Sequence, residues 1–144
     1  MPRPTVTKEM IRNAAREVCA TIRDAEPDDV ADCYSYPMDG YELAKALERR
    51  FCLDIRVEDV YDLDAMDCAV RAKLEDAQKE WVARENITPK LQTGTVIKRG
   101  VIDGVSDYGA AMYKVKEHGC TNPSRHLLVR FEDAEAEHSA SIAA

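Results

Sequence analysis

Three histidines and five cysteines are the residues of this chain best suited to metal or nucleophilic chemistry. His118-Gly119-Cys120 places two metal donors almost side by side, but a structural zinc needs a second pair at comparable spacing, and none follows. His126 stands alone in a strand-like run and His138 lies in the C-terminal tail. For nucleophilic work, Cys120 would need His118 or His126 as its base and an acid to orient that base. The chain has no Gly-x-Ser-x-Gly, no Gly-rich phosphate loop and no His-Glu-x-x-His. Paired acids such as Asp28 and Asp29, or Asp62 and Asp64, sit at spacings that cap helices or solvate a surface. These residues predict no catalytic group, no bound metal and no cofactor, and a polar loop around Asn122-Pro123.

The cysteines (Cys19, Cys33, Cys52, Cys68, Cys120) are odd in number and contain no Cys-x-x-Cys pair, a pattern of reduced thiols. Free cysteine behaves as a small hydrophobe, so Cys19, Cys52 and Cys68 are expected to be buried and Cys120 to be exposed on its loop.

Charge offers two binding candidates in place of chemistry. The net charge of −7 is uneven: residues 21–88 carry −9, residues 89–131 carry +4. Asp28 and Asp29 belong to one acidic run, and Asp54, Glu58, Asp59, Asp62, Asp64 and Asp67 form a second. Such a surface imitates the phosphate spacing of nucleic acid and steers a basic protein toward it. The expected partner is therefore a basic or nucleic-acid-binding protein. The second candidate is a basic β face of Lys98, Arg99, Lys114, Lys116, His126 and Arg130, where each cation can neutralise a phosphate. Tyr108 and Tyr113 are the tyrosines in that half available for stacking on nucleic acid.

The elements that position these residues change period near Pro89. Thr7 predicts an N-cap for a helix whose apolar stripe runs through Ile11, Ala15, Val18 and Ile22. Pro27 predicts the first position of a short helical turn ending near Cys33. Asp39 to Glu42 reads as a capping box that opens a helix with Tyr41, Ala44, Leu47 and Phe51 inward. A short helix over 57–63 and a long one over 64–84 follow, and Asn86 with Ile87 closes the latter before Pro89.

Beyond Pro89 the chain alternates with period two. Strands are expected over 95–102, 111–117 and 125–131, with Asp103-Gly104 as a tight turn and a short strand over 105–108. Ala111, Tyr113 and Val115 should face inward, and so should Leu127, Val129 and Phe131. The predicted fold class is α+β: an N-terminal helical bundle over 1–88, then a small antiparallel meander or SH3-like barrel over 89–133, then a flexible tail over 134–144. So small a β module should lean on an apolar platform, and Trp81 with Val82 on the long helix is the natural one. A small-ligand or enzymatic site at the helix-sheet junction is a further alternative.

Two resemblances bear on function. The stretch from Tyr41 through Phe51, continued by Leu53-Asp54-Ile55 and Val60, resembles the second helix and following loop of acyl carrier proteins. Those proteins carry phosphopantetheine on a serine just before that helix. Pro37 stands at that position here and Ser35 is two residues away, so the attachment point is missing and only the bundle cadence is shared. The whole plan, an acidic helical segment joined to a Gly-rich strand module from Thr93-Gly94-Thr95 to Glu132-Asp133-Ala134, resembles in general style the small accessory proteins of bacteriophages and prophages. That resemblance implies a non-enzymatic protein that binds a host factor, inhibitors of defence systems such as CRISPR complexes included. No apolar run reaches the length of a membrane span and the first ten residues lack a signal peptide's apolar stretch, so the expected location is cytoplasmic, in the host cell if phage-encoded.

Overall fold

In the computed structural model, residues 1–20, 22, 25–122 and 124–136 are described. Among the described residues four helices precede four strands: α1 Lys8–Cys19, α2 Pro27–Cys33, α3 Gly40–Phe51, α4 Val57–Arg84, β1 Val96–Ile97, β2 Gly100–Val105, β3 Met112–Glu117 and β4 Leu127–Arg130, then a 3-10 turn, Phe131–Asp133. The fold is thus mixed α+β, helices first. The chain divides into two compact units, Pro2–Gln78 and Lys79 onward with Met1. The division falls inside α4, earlier than the expected boundary at 88, because the last turns of that helix group with the strands.

Local rules set most helix ends. The Thr7 hydroxyl accepts the Met10 N–H at 3.2 Å and begins α1. The Asp39 carboxylate accepts the Glu42 N–H at 2.8 Å and begins α3, which Cys52 ends in the left-handed conformation (φ 56°). Pro27 takes the first position of α2, with Asp28 and Asp29 in its first turn where the helix dipole favours acid. The α1 helix stops at Cys19, short of the expected stripe. Ile22 nevertheless remains buried, its N–H turned back onto the Cys19 carbonyl at 3.1 Å.

Ala14, Val18, Val30, Leu43, Leu47, Leu63, Met66 and Val70 form the core of the first unit. Tyr41, expected inward, is 59% exposed, and Lys45 Nζ lies 4.5 Å from its ring centroid. Leu43 and Gly40 take the inward positions instead. The helix is rotated this way because Gly40 lies against the α4 backbone. A β-carbon there would be 2.3 Å from the Val60 carbonyl oxygen, so only glycine permits the approach.

The expected break between 63 and 64 is absent: α4 runs unbroken for 28 residues. Asp64 looks like a helix starter in sequence, but its carboxylate and that of Asp67 are used across the bundle. The helix begins at Val57, and the Asp59 carboxylate in its first turn accepts the N–H of the preceding Arg56 at 3.1 Å. It ends as expected, with Asn86 at φ 52° and the Ile87 N–H on the Val82 carbonyl at 3.0 Å.

In the second unit the strands pair antiparallel in the order β1-β2-β3-β4. The single strand expected over 95–102 is instead a hairpin. Val96 pairs with Val101 and Ile97 with Gly100, which leaves Lys98 and Arg99 as the two turn residues. Asp103-Gly104 is not a turn but a bulge in β2, where the register shifts and Gly104 adopts φ 134°. The strand expected over 105–108 is absent, since Val105 belongs to β2. The inward faces of β3 and β4 are as expected: Tyr113, Val115 and Val129 form the core together with Ile97 and Ile102, and Phe131 packs on Tyr113 at 4.4 Å between ring centroids. The sheet has the meander order and is open rather than a closed barrel, with β1 and β4 at its edges. A single bridge joins Ile97 to Ala136 beyond the 3-10 turn. Most of the tail expected over 134–144, His138 included, lies outside the described residues.

Candidate functional site

The acidic candidates separate by what their carboxylates touch. Asp64 accepts the Gly40 N–H at 2.8 Å, and Asp67 accepts the Met38 N–H at 3.0 Å and the Tyr34 hydroxyl. Asp59 caps its own helix. These three hold the fold together and have less capacity left for a partner. Asp28 lines a hollow with Arg12, Arg16 and Asp32, and Asp29 is half-buried in the first turn of α2.

Asp54 and Glu58 are exposed, and Asp62 is half-buried in a groove of about 330 Å³ lined also by Glu17, Val18 and Tyr61. They frame two side chains that sequence reasoning did not single out. Val57 is 72% and Tyr61 75% exposed, one helical turn apart on α4. A turn-apart apolar and aromatic pair left outside the core was the available signal. An exposed tyrosine that shares its groove with Asp62 and Glu17 offers a flat apolar contact, a hydroxyl and nearby negative charge.

The basic candidates form a strip on the outward side of the sheet. Lys114 and Lys116 alternate with the buried Tyr113 and Val115, and the pairing places Lys114 opposite Leu128, Lys116 opposite Val101 and Met112 opposite Arg130. Lys114, Lys116 and Arg130 therefore share one face, whereas Lys98 and Arg99 lie apart at the β1–β2 hairpin tip. The His126 ring is bonded to the Asp103 carboxylate at 2.8 Å, so the bulge brings an acid onto this strip. Lys114 draws its stem over Gly104, which has no side chain in the way.

The residues considered for nucleophilic chemistry do not assemble. His118 Nε2 is bonded to the Ile97 carbonyl at 3.1 Å, and the Cys120 thiol points to the Asn122 carbonyl at 3.8 Å. Neither bond joins the thiol to an imidazole. Among the described residues no group of three or more His, Cys, Asp or Glu is placed to hold a metal ion, and no helix is long and apolar enough to cross a membrane.

The thiols correct two expectations: Cys52 and Cys68 are exposed rather than buried, Cys120 is half-buried rather than exposed, and Cys19 alone is fully buried. Cys52 terminates α3 at positive φ, and Cys68 lies on the solvent side of α4. Burial, helped by Glu26, pushes the Cys19 thiol up to about 11. Burial and the Asp67 bond likewise push the Tyr34 hydroxyl well above its ordinary value.

Comparison of the chain with protein-family models, with curated proteins and with solved structures finds no match.

Proposed function

We propose that this chain is a non-enzymatic accessory protein of the phage type. In this reading it binds a host protein in the cytoplasm through the acidic face of α4 and inhibits that host factor or defence complex. The observation that carries the reading is the exposed Val57–Tyr61 pair flanked by Asp54, Glu58 and Asp62. Tyrosine is favoured at interface centres, because it buries a large rigid surface at low entropic cost and still offers a hydroxyl. The surrounding carboxylates favour a basic partner, such as a nucleic-acid-binding protein, and raise its association rate. A photo-crosslinking amino acid at position 61, introduced in host cells, tests this. The expected result is a covalent adduct with one host protein that disappears when Glu58→Lys and Asp62→Lys are added. Adducts formed only from position 114, on the sheet, would count against it.

The second reading is nucleic-acid binding by the strip of Lys114, Lys116 and Arg130, supported by their placement on one sheet face. It predicts DNA affinity that falls steeply with salt. We further propose that the meander is the greater part of an SH3-like barrel, with the Ile97–Ala136 bridge after the 3-10 turn in support.

A further inference from the structure

The first unit is strongly acidic, yet in one of its hollows cations outnumber carboxylates. Lys8 and Arg12 on α1 and Arg50 at the end of α3 face a cleft of about 580 Å³ together with Asp32, Ser35 and Tyr36. Among the described residues no carboxylate pairs with Lys8, Arg12 or Arg50. Arg50 reaches neutral groups, the Asp32 carbonyl at 3.4 Å and the Cys33 side chain, and lies 5.4 Å from the centre of the Phe51 ring. Arg12 also borders the neighbouring hollow of about 410 Å³, lined as well by Arg16, Asp28 and Asp32.

We propose that this cleft binds a small ligand bearing a phosphate monoester. Its volume falls within the roughly 300–1,000 Å³ usual for small-molecule sites. Three cations face one carboxylate, Asp32, and a phosphate monoester carries about −1.5 to −2 charges near neutral pH, which matches the excess. A carboxylate ligand would offset only half of it. Arginine's planar fork suits phosphate oxygens, and Arg12 and Arg50 supply two such forks. The Ser35 hydroxyl adds a neutral donor, and the half-buried Tyr36 gives an aromatic wall for the body of the ligand.

The test is an amide-resolved NMR titration of the full chain with adenosine monophosphate, inorganic phosphate and adenosine. Adenosine monophosphate should shift the amides of Lys8, Arg12, Ser35 and Tyr36 saturably, inorganic phosphate should shift the same amides more weakly, and adenosine should not. Arg12→Gln should raise the Kd for adenosine monophosphate about tenfold, the cost of one charge-assisted contact. Arg12 is exposed, so the variant should keep the parent's far-UV circular dichroism. Arg84→Gln, at an exposed arginine beside Glu85, should leave the Kd unchanged. The proposal is overturned if adenosine monophosphate produces no saturable shift, if adenosine binds equally well, or if Arg12→Gln leaves the Kd unaltered.

Discussion

Gly40 donates its N–H to the Asp64 carboxylate at 2.8 Å while its α-carbon presses on the α4 backbone, so that α3 and α4 meet main chain to main chain. Alanine is the better helix former by up to about 1 kcal/mol. Its methyl group, however, would have to displace backbone rather than a flexible side chain. Gly40→Ala is therefore expected to destabilise the protein by about 1–3 kcal/mol. A lower urea midpoint with an unchanged slope checks this, and an unchanged midpoint would mean the helices can separate freely.

Asp67 holds the segment before α3 by accepting both the Tyr34 hydroxyl and the Met38 N–H. Asp67→Ala strands both donors and should cost about 2–3 kcal/mol, whereas Tyr34→Phe removes one donor and should cost about 1 kcal/mol. Equal losses in thermal or urea denaturation would show that Met38 does not depend on Asp67.

The same carboxylates explain why the helical half was only partly legible in sequence. Thr7, Pro27, Asp39 and Asn86 act within a few residues of themselves, and local rules found each of them. Asp64 and Asp67 act on residues 24 and 29 positions away, so they were misread as a helix start and as a free acidic surface. Tyr41 and Leu43 lie two residues apart, and the close approach at Gly40 decides which of them faces the core. The strands show a similar limit. Asp103-Gly104 is a strong turn signal, yet pairing with β3 turns it into a bulge, while the unremarkable Lys98-Arg99 makes the turn. Gly100 carried the missed signal: a β-carbon there would be 2.1 Å from the Lys116 carbonyl oxygen, which fixes it inside the sheet. The exposed Val57 and Tyr61 were not recognised because periodicity shows a stripe but not which of its flanks remains uncovered.

Thiol reactivity should follow exposure. Cys52 and Cys68 should label first with a thiol reagent, Cys33 and Cys120 more slowly, and Cys19 last. The Cys19 thiol keeps its proton up to about 11 in the folded chain, against an ordinary value of 9.0. Its contribution to stability is fully present below pH 9 and is lost as pH rises toward 11, because the unfolded chain ionises first. Tyr34 adds to the loss in the same direction. Urea midpoints should therefore fall across that window, and Cys19→Ala should make the fall shallower. A midpoint that rises with pH there would contradict the burial of the thiol.

Tyr113 fixes the segment after α4 by accepting the N–H groups of Lys90 and Leu91, each at 3.0 Å. Tyr113→Phe keeps the packing on Phe131 but leaves both amides without that acceptor, at an expected cost of about 1–3 kcal/mol. Hydrogen exchange at Lys90 and Leu91 should accelerate more than at Val115. Uniform acceleration across the sheet would indicate a lost core contact instead.

The most direct test of the proposed function is the association rate of the crosslinked host protein, measured as a function of salt for two charge-reversal variants. Glu58→Lys with Asp62→Lys should slow association about tenfold at low ionic strength, and the effect should shrink as salt shortens screening to below about 8–10 Å. Lys114→Glu with Lys116→Glu should leave the rate close to that of the parent. If the sheet variant abolishes binding while the α4 variant retains the parent's rate, the acidic-face account is contradicted and the basic strip is the functional surface.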